Sequence, residues 1–186
     1  MRDVEKIEKI LDVIRDEILP LTEYSVTQGN HVFGGAILRP DTLTSVMVGS
    51  NNRVESPLFH GEIDTLNRFF KLPVRPRPDE LVFLATHEPC PMCAAAIAWA
   101  GFKELWVLFG NKEIIEDFDM PVDMEMYLEL FGTHRIRPDN GFFKKYSLTE
   151  AIAGLDTDRF DETLGEIRKR YAALNVADFE YPGTIG

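Results

Sequence analysis

Two short stretches of this chain bring together residue types that can do chemistry. One is His60-Gly61-Glu62 and the other is Pro89-Cys90-Pro91-Met92-Cys93. An imidazole and two thiolates are ligands that zinc accepts in a tetrahedral shell. Cys90 and Cys93 are the only cysteines, and His31, His87 and His134 form no second ligand pair. Three protein ligands leave the fourth position to water, the arrangement of a catalytic rather than a structural zinc. Zinc brings the pKa of bound water toward about 7, and Glu62 supplies a carboxylate able to take a proton and pass it on. Taken singly, each stretch is weak. A His-x-Glu triplet also suits a solvated helix start, and an isolated Cys-x-x-Cys suits a redox pair as well as a metal site.

Both stretches open helices. His60 to Lys71 carries Ile63, Leu66, Phe69 and Phe70 as an inward stripe, and Pro91 to Ala100 is alanine-rich and ends at Gly101. Cys90 falls at an N-cap with Pro91 in the first helical position, so the positive helix end favours thiolate there. Residues two apart on a regular helix diverge, so His60 and Glu62 can share a site only if His60 is a half-in cap residue.

Around these helices, Val32 to Arg39 and Leu43 to Gly49 read as a hairpin turning at Pro40 and Asp41, and Leu81 to Ala85 and Leu105 to Phe109 as short buried strands. Met1 to Leu19 reads as an amphipathic helix ended by Pro20. Asn51 to Pro57 and LPVRPRPDE are loops, Met124 to Phe131 and Asp158 to Leu174 are helical, and residues 176–186 form a tail expected to pack over an active site. Helices alternating with strands indicate an α/β layered domain with helices on both sheet faces, here one domain over 1–186.

The balance of 20 basic against 31 acidic residues gives a formal charge of −11, which disfavours a nucleic-acid backbone as partner. No apolar run is long enough to span a bilayer and the N-terminus is charged, so a cytoplasmic protein is expected. In that reducing compartment two close cysteines read as a metal or redox site.

In the order His-x-Glu … Pro-Cys-x-x-Cys, the two stretches make the signature of zinc deaminases. From about Phe33 to Phe109 the chain resembles the cytidine and deoxycytidylate deaminase superfamily, nearest to guanine deaminase and the small-base and nucleoside branch. The resemblance rests on Phe33-Gly34-Gly35, Gly49-Ser50-Asn51, His60-Gly61-Glu62, and Glu88-Pro89-Cys90-Pro91-Met92-Cys93 with Ala96, Ile97 and Trp99. It implies a three-layer α-β-α fold around a mixed five-stranded sheet, a homodimer, and zinc held by His60, Cys90 and Cys93. It also implies hydrolytic deamination of a nucleobase or nucleoside-type ring, guanine first, with Glu62 as proton shuttle. Phe33 would pack against the ring, Asn51 would hydrogen-bond it, and the Gly61 N–H would donate to a ring carbonyl. A further proton-moving acid is expected beyond the fourth strand, with Asp123 best placed and Asp119 and Glu125 as substitutes.

Three features depart from that pattern. Gly61 replaces alanine, which would loosen the helix start and admit a bulkier ring. Phe59 replaces a small residue before the histidine. His87 stands where an uncharged side chain is usual, either behind the zinc or as a buried, hydrogen-bonded histidine. Two rival functions remain: an RNA base-editing deaminase, disfavoured by the acidic charge, and a non-catalytic zinc-stabilised binding module, disfavoured by Glu62.

Overall fold

The computed structural model describes residues 3–111, 114, 122–155 and 157–174. Among them, five strands form one sheet in the order β2-β1-β3-β4-β5. Strands β1 (Gly34–Leu38) and β2 (Ser45–Ser50) are the expected hairpin. β3 (Val82–His87) runs antiparallel to β1, while β4 (Glu104–Phe109) runs parallel to β3 and β5 (Lys144–Ser147) parallel to β4. The sheet is therefore mixed.

Alternation along the strands sorts the core into two layers. Val82, Leu84, Trp106 and Leu108 face α1 (Asp3–Val13), α2 (Leu19–Thr27) and, later in the chain, α6 (Leu148–Ala153) and α7 (Asp161–Ala172). Phe83, Ala85, Leu105 and Val107 face α3 (Gly61–Phe70), α4 (Pro91–Ala100) and α5 (Val122–Phe131). Buried on both sides, β3 and β4 read as near-continuous apolar runs, as strands in a parallel pair do. The result is the three-layer α-β-α arrangement.

Glycines let α3 approach the sheet. A Cβ on Gly49 would stand 2.8 Å from the Thr65 Cα, and one on Gly35 would stand 3.2 Å from the Thr65 hydroxyl. Thr65 therefore lies fully buried against the sheet, its Oγ1 donating to the Gly61 carbonyl at 2.6 Å. This rotates α3 relative to the expected stripe. Leu66 and Phe69 are buried, but Phe70 is 40% exposed, with Arg75 over its ring.

Two other expectations change. Pro20 does not end the first helix. A π-helical turn, Ile14–Ile18, joins α1 to α2, and the Leu19 N–H reaches back five residues to the Ile14 carbonyl. The widened turn accommodates a ring that a regular helix would press against the carbonyl four residues back. β5 and α6 were not legible, because β5 is a four-residue edge strand containing two lysines. The tail at 176–186 and Asp119 lie outside the described residues. Among the described residues no helix is long and apolar enough to cross a membrane.

Candidate active site

His60 and Cys90 occupy equivalent places in the fold. His60 caps α3 with an extended backbone (φ −59°, ψ 162°), and Cys90 caps α4 in the same way (φ −65°, ψ 170°) with Pro91 following. His60 is thus the half-in residue that lets its side chain and that of Glu62 meet. The bends before His60 are fixed by Asn52 N–H to the Phe59 carbonyl (2.8 Å) and His60 N–H to the Leu58 carbonyl (2.9 Å). Two helix N-termini therefore converge on one point outside the C-terminal end of β3, and their positive ends favour negative charge there.

At that point the donor atoms of His60, Cys90 and Cys93 lie within 4.8 Å of one another. Among the described residues no other trio of metal-ligating side chains meets in this way. Both cysteines are buried free thiols, so no disulfide competes. The three residues could hold a metal ion.

The ionisable groups at the site shift one another's pKa values. The hydrogen bond from Cys93 draws the Cys90 pKa down to about 4 against the effect of burial, with His60 assisting. Burial and the bond it gives Cys90 push the Cys93 thiol up. Burial disfavours charge on His60, but Cys90, then Glu62 and Asp123, hold its pKa up at about 9. Glu62 is 5% exposed, and burial followed by the Cys90 thiolate pushes its pKa up to about 7. A divalent ion at the focus would reverse this logic, drawing protons from both sulfurs and the imidazole.

Asp123, in the first turn of α5, faces the same cluster. Burial first, and Cys90 second, raise its pKa to about 7, while His60 pulls it down. Glu125 is exposed on the far side of the turn. Asn51 is 1% exposed, and its Oδ1 accepts from the backbone N–H groups of His31 and Arg53, both at 3.1 Å. Two backbone donors on Oδ1 fix the amide orientation and leave Nδ2 as the group with donors to offer. Phe33 is half-buried, its carbonyl accepting from Asn51 N–H at 2.8 Å.

Gly61 has a reason different from the expected one. A Cβ there would collide with the Phe33 carbonyl, so glycine permits close packing of β1 on the helix start and does not widen a pocket. The Gly61 N–H, in the first turn, has no acceptor within the helix. His87 is the buried histidine of the two alternatives. Its ring lies among Phe33, Phe109 and Tyr171 at 5.0–5.3 Å, Nδ1 meets the Thr86 hydroxyl at 3.0 Å, and burial drives its pKa down to about 3.

Supports that sequence reasoning missed come from distant segments. The Tyr127 hydroxyl donates to the Pro89 carbonyl at 3.0 Å, tying α5 to the cysteine loop. Lys145 on β5 forms a buried ion pair with Glu88. Neither partner stands at a spacing that marks it, since each contact spans more than 35 residues.

With this geometry in hand, the chain compares with known proteins as follows. The profile of the MafB19-like deaminase family matches residues 14–136. A cytosine deaminase of Candida albicans is 32% identical over 49% of this chain and 64% of its own length. A tRNA-specific adenosine deaminase of Rickettsia felis is 34% identical over 41% of this chain and 56% of its own. The chain thus spans less than two thirds of either relative. Among solved structures, a guanine deaminase from Bacillus subtilis shares the fold with a TM-score of 0.55 and 19% identity, covering 87% of this chain and 95% of that one.

Proposed function

From the chain's place in the MafB19-like deaminase family, to which it belongs within the cytidine deaminase-like superfamily, we infer that it is a zinc-dependent hydrolytic deaminase of a nucleobase-type ring. The observation that carries this reading is the convergence of His60, Cys90 and Cys93 with a buried Glu62 at two helix N-termini. The donor set fits zinc. Ligand lengths of about 2.05 Å to nitrogen and 2.3 Å to sulfur in a tetrahedron put N and S about 3.6 Å apart, and Cys90 Sγ to His60 Nδ1 is 3.6 Å.

When bound, zinc would supply a Lewis acid that makes water nucleophilic near neutral pH. The reaction adds water at the amino-bearing ring carbon and releases ammonia, leaving a carbonyl. Glu62 carries the protons, accepting one at its carboxylate and delivering it first to the ring nitrogen and then to the departing amine. Asn51 Nδ2 and the Gly61 N–H bind ring acceptors, Phe33 packs on the ring, and Asp123 assists proton movement from α5.

The substrate class is a free base or nucleoside. The sequence stretch through Trp99 favours guanine, whereas the curated relative from Candida albicans is a cytosine deaminase. The charge of −11 disfavours RNA. Two free thiols suit a cytoplasmic setting. The active form is a homodimer. In support, α4 holds no charged residue and exposes Ala95 and a 91% exposed Trp99, an apolar face unusual for a lone surface helix.

The test is ammonia release by the zinc-loaded protein from cytosine, guanine, adenine, cytidine and a stem-loop RNA. Turnover of a free base or nucleoside, lost in Glu62→Gln, is the expected result. Turnover of the RNA alone would move the function to editing, and no turnover of any would leave a binding module.

A further inference from the structure

The segment that carries Asn51 is held by a residue no motif marked. His31, 4% exposed, precedes β1 and faces the loop after β2. Two hydrogen bonds join His31 to that loop, and a third, within the loop, shares the same Asn51 oxygen. The His31 N–H and the Arg53 N–H both donate to Asn51 Oδ1 at 3.1 Å, and Arg53 Nη1 lies 2.5 Å from His31 Nε2. A guanidinium only donates. His31 Nε2 must therefore accept, which places the ring proton on Nδ1 and leaves the imidazole neutral. Burial, then the Arg53 charge and that of His60, push its pKa down to about 4, in keeping with a neutral ring.

The geometry points to His31 as a positioning residue for substrate: its imidazole clamps the Arg53 side chain, and through Arg53 it fixes the amide of Asn51 that meets the ring. The Arg53 N–H is one of two donors that orient Asn51 Oδ1. Arg53 is a long side chain whose rotamer entropy opposes holding it still. A neutral, buried acceptor at its tip supplies the restraint, and the restraint passes to the backbone N–H of the same residue. An amide held by both donors presents Nδ2 in one orientation; an amide held by one can turn.

This inference rests on the reading of Asn51 as a substrate-binding residue, so its test begins with a measurement that needs no turnover. In zinc-loaded, 15N-labelled protein, His31 is expected as the Nδ1–H tautomer with Nε2 accepting. The Asn51 side-chain amide should give one sharp pair of proton signals. His31→Val should broaden or split that pair, and His31→Gln, which restores an acceptor, should sharpen it again. On cytosine or the best ring of the panel, His31→Val and Arg53→Met should each raise KM by about tenfold, the weight of one hydrogen bond. The double variant should be no worse than either, with kcat and zinc content unchanged. An Nε2–H tautomer, or an Asn51 amide indifferent to His31→Val, overturns the clamp. A shifted amide with unchanged KM on a substrate that is turned over removes its role in substrate binding. Absence of turnover in the unsubstituted protein overturns the deaminase reading instead, and the amide signals still decide the clamp.

Discussion

At the scale of single residues, the proposed function assigns one set of groups to holding the ion and another to moving protons. His60, Cys90 and Cys93 form the candidate ligand set and Glu62 is not part of it, so Glu62→Gln should keep zinc while kcat falls by about 10²–10⁴-fold, the range for a general acid–base group. Zinc content and kcat measured on one preparation check this. A glutamine variant with near-normal kcat would remove Glu62 from the mechanism. Asp123→Asn should lower kcat, and Glu125→Gln, on the exposed side of α5, should not. Gly61 makes a steric statement at the same scale. Its Cβ position is filled by the Phe33 carbonyl, so Gly61→Ala should cost about 1–3 kcal/mol, the usual penalty of overpacking, measured as a lower denaturation midpoint.

At the scale of elements, the cysteine loop is held from outside. α5 reaches it through Tyr127, whose hydroxyl donates to the buried Pro89 carbonyl. Tyr127→Phe leaves that acceptor unsatisfied, which costs about 1–3 kcal/mol, and chelator competition should show weaker zinc retention. Unchanged stability and zinc retention would mean that α5 merely lies beside the loop. β3 ends in His87, and its burial sets a pH dependence. Its folded pKa of about 3 lies below the ordinary 6.5, so the unfolded chain binds the extra proton between those values. Stability from this group is complete above about pH 6.5 and is lost as pH falls toward 3, by at most about 1.4 kcal/mol per pH unit. In His87→Phe, unfolding followed from pH 7 to pH 4 should show a shallower acid limb. An identical limb would place the acid sensitivity elsewhere.

At the scale of the whole molecule, net charge and the apolar face of α4 act together. Copies carrying −11 each repel, and contact is least opposed across a helix without charge. On that face Met92, Ala95, Ala96 and Trp99 recur at helical spacing. The proposed α4-to-α4 dimer should fall apart to monomers in Trp99→Glu, followed by sedimentation, while zinc is kept, because Cys93 and Ile97 point the other way, into the core. A variant that remains dimeric would place the interface on another face.

The candidate site was legible in the sequence because it depends on short spacings. His60 and Glu62 lie two apart, Cys90 and Cys93 three apart, and each pair opens a helix whose cap and first residues can be read locally. The α/β class followed from the alternation of β3, α4 and β4, whose apolar runs and terminal Gly101 are local signals too. What only the tertiary structure decided are the contacts between distant segments. The closeness of Phe33 to Gly61 makes glycine a steric requirement and not a loosened helix start. The seat of Thr65 between Gly35 and Gly49 turned α3 and left Phe70 outside. The π-turn that carries the chain past Pro20, the pairing of β5 with β4, and the link from His31 to Arg53 likewise depend on packing and chain closure. Periodicity reports which face of an element is apolar, but it carries no information about which other element will press on that face.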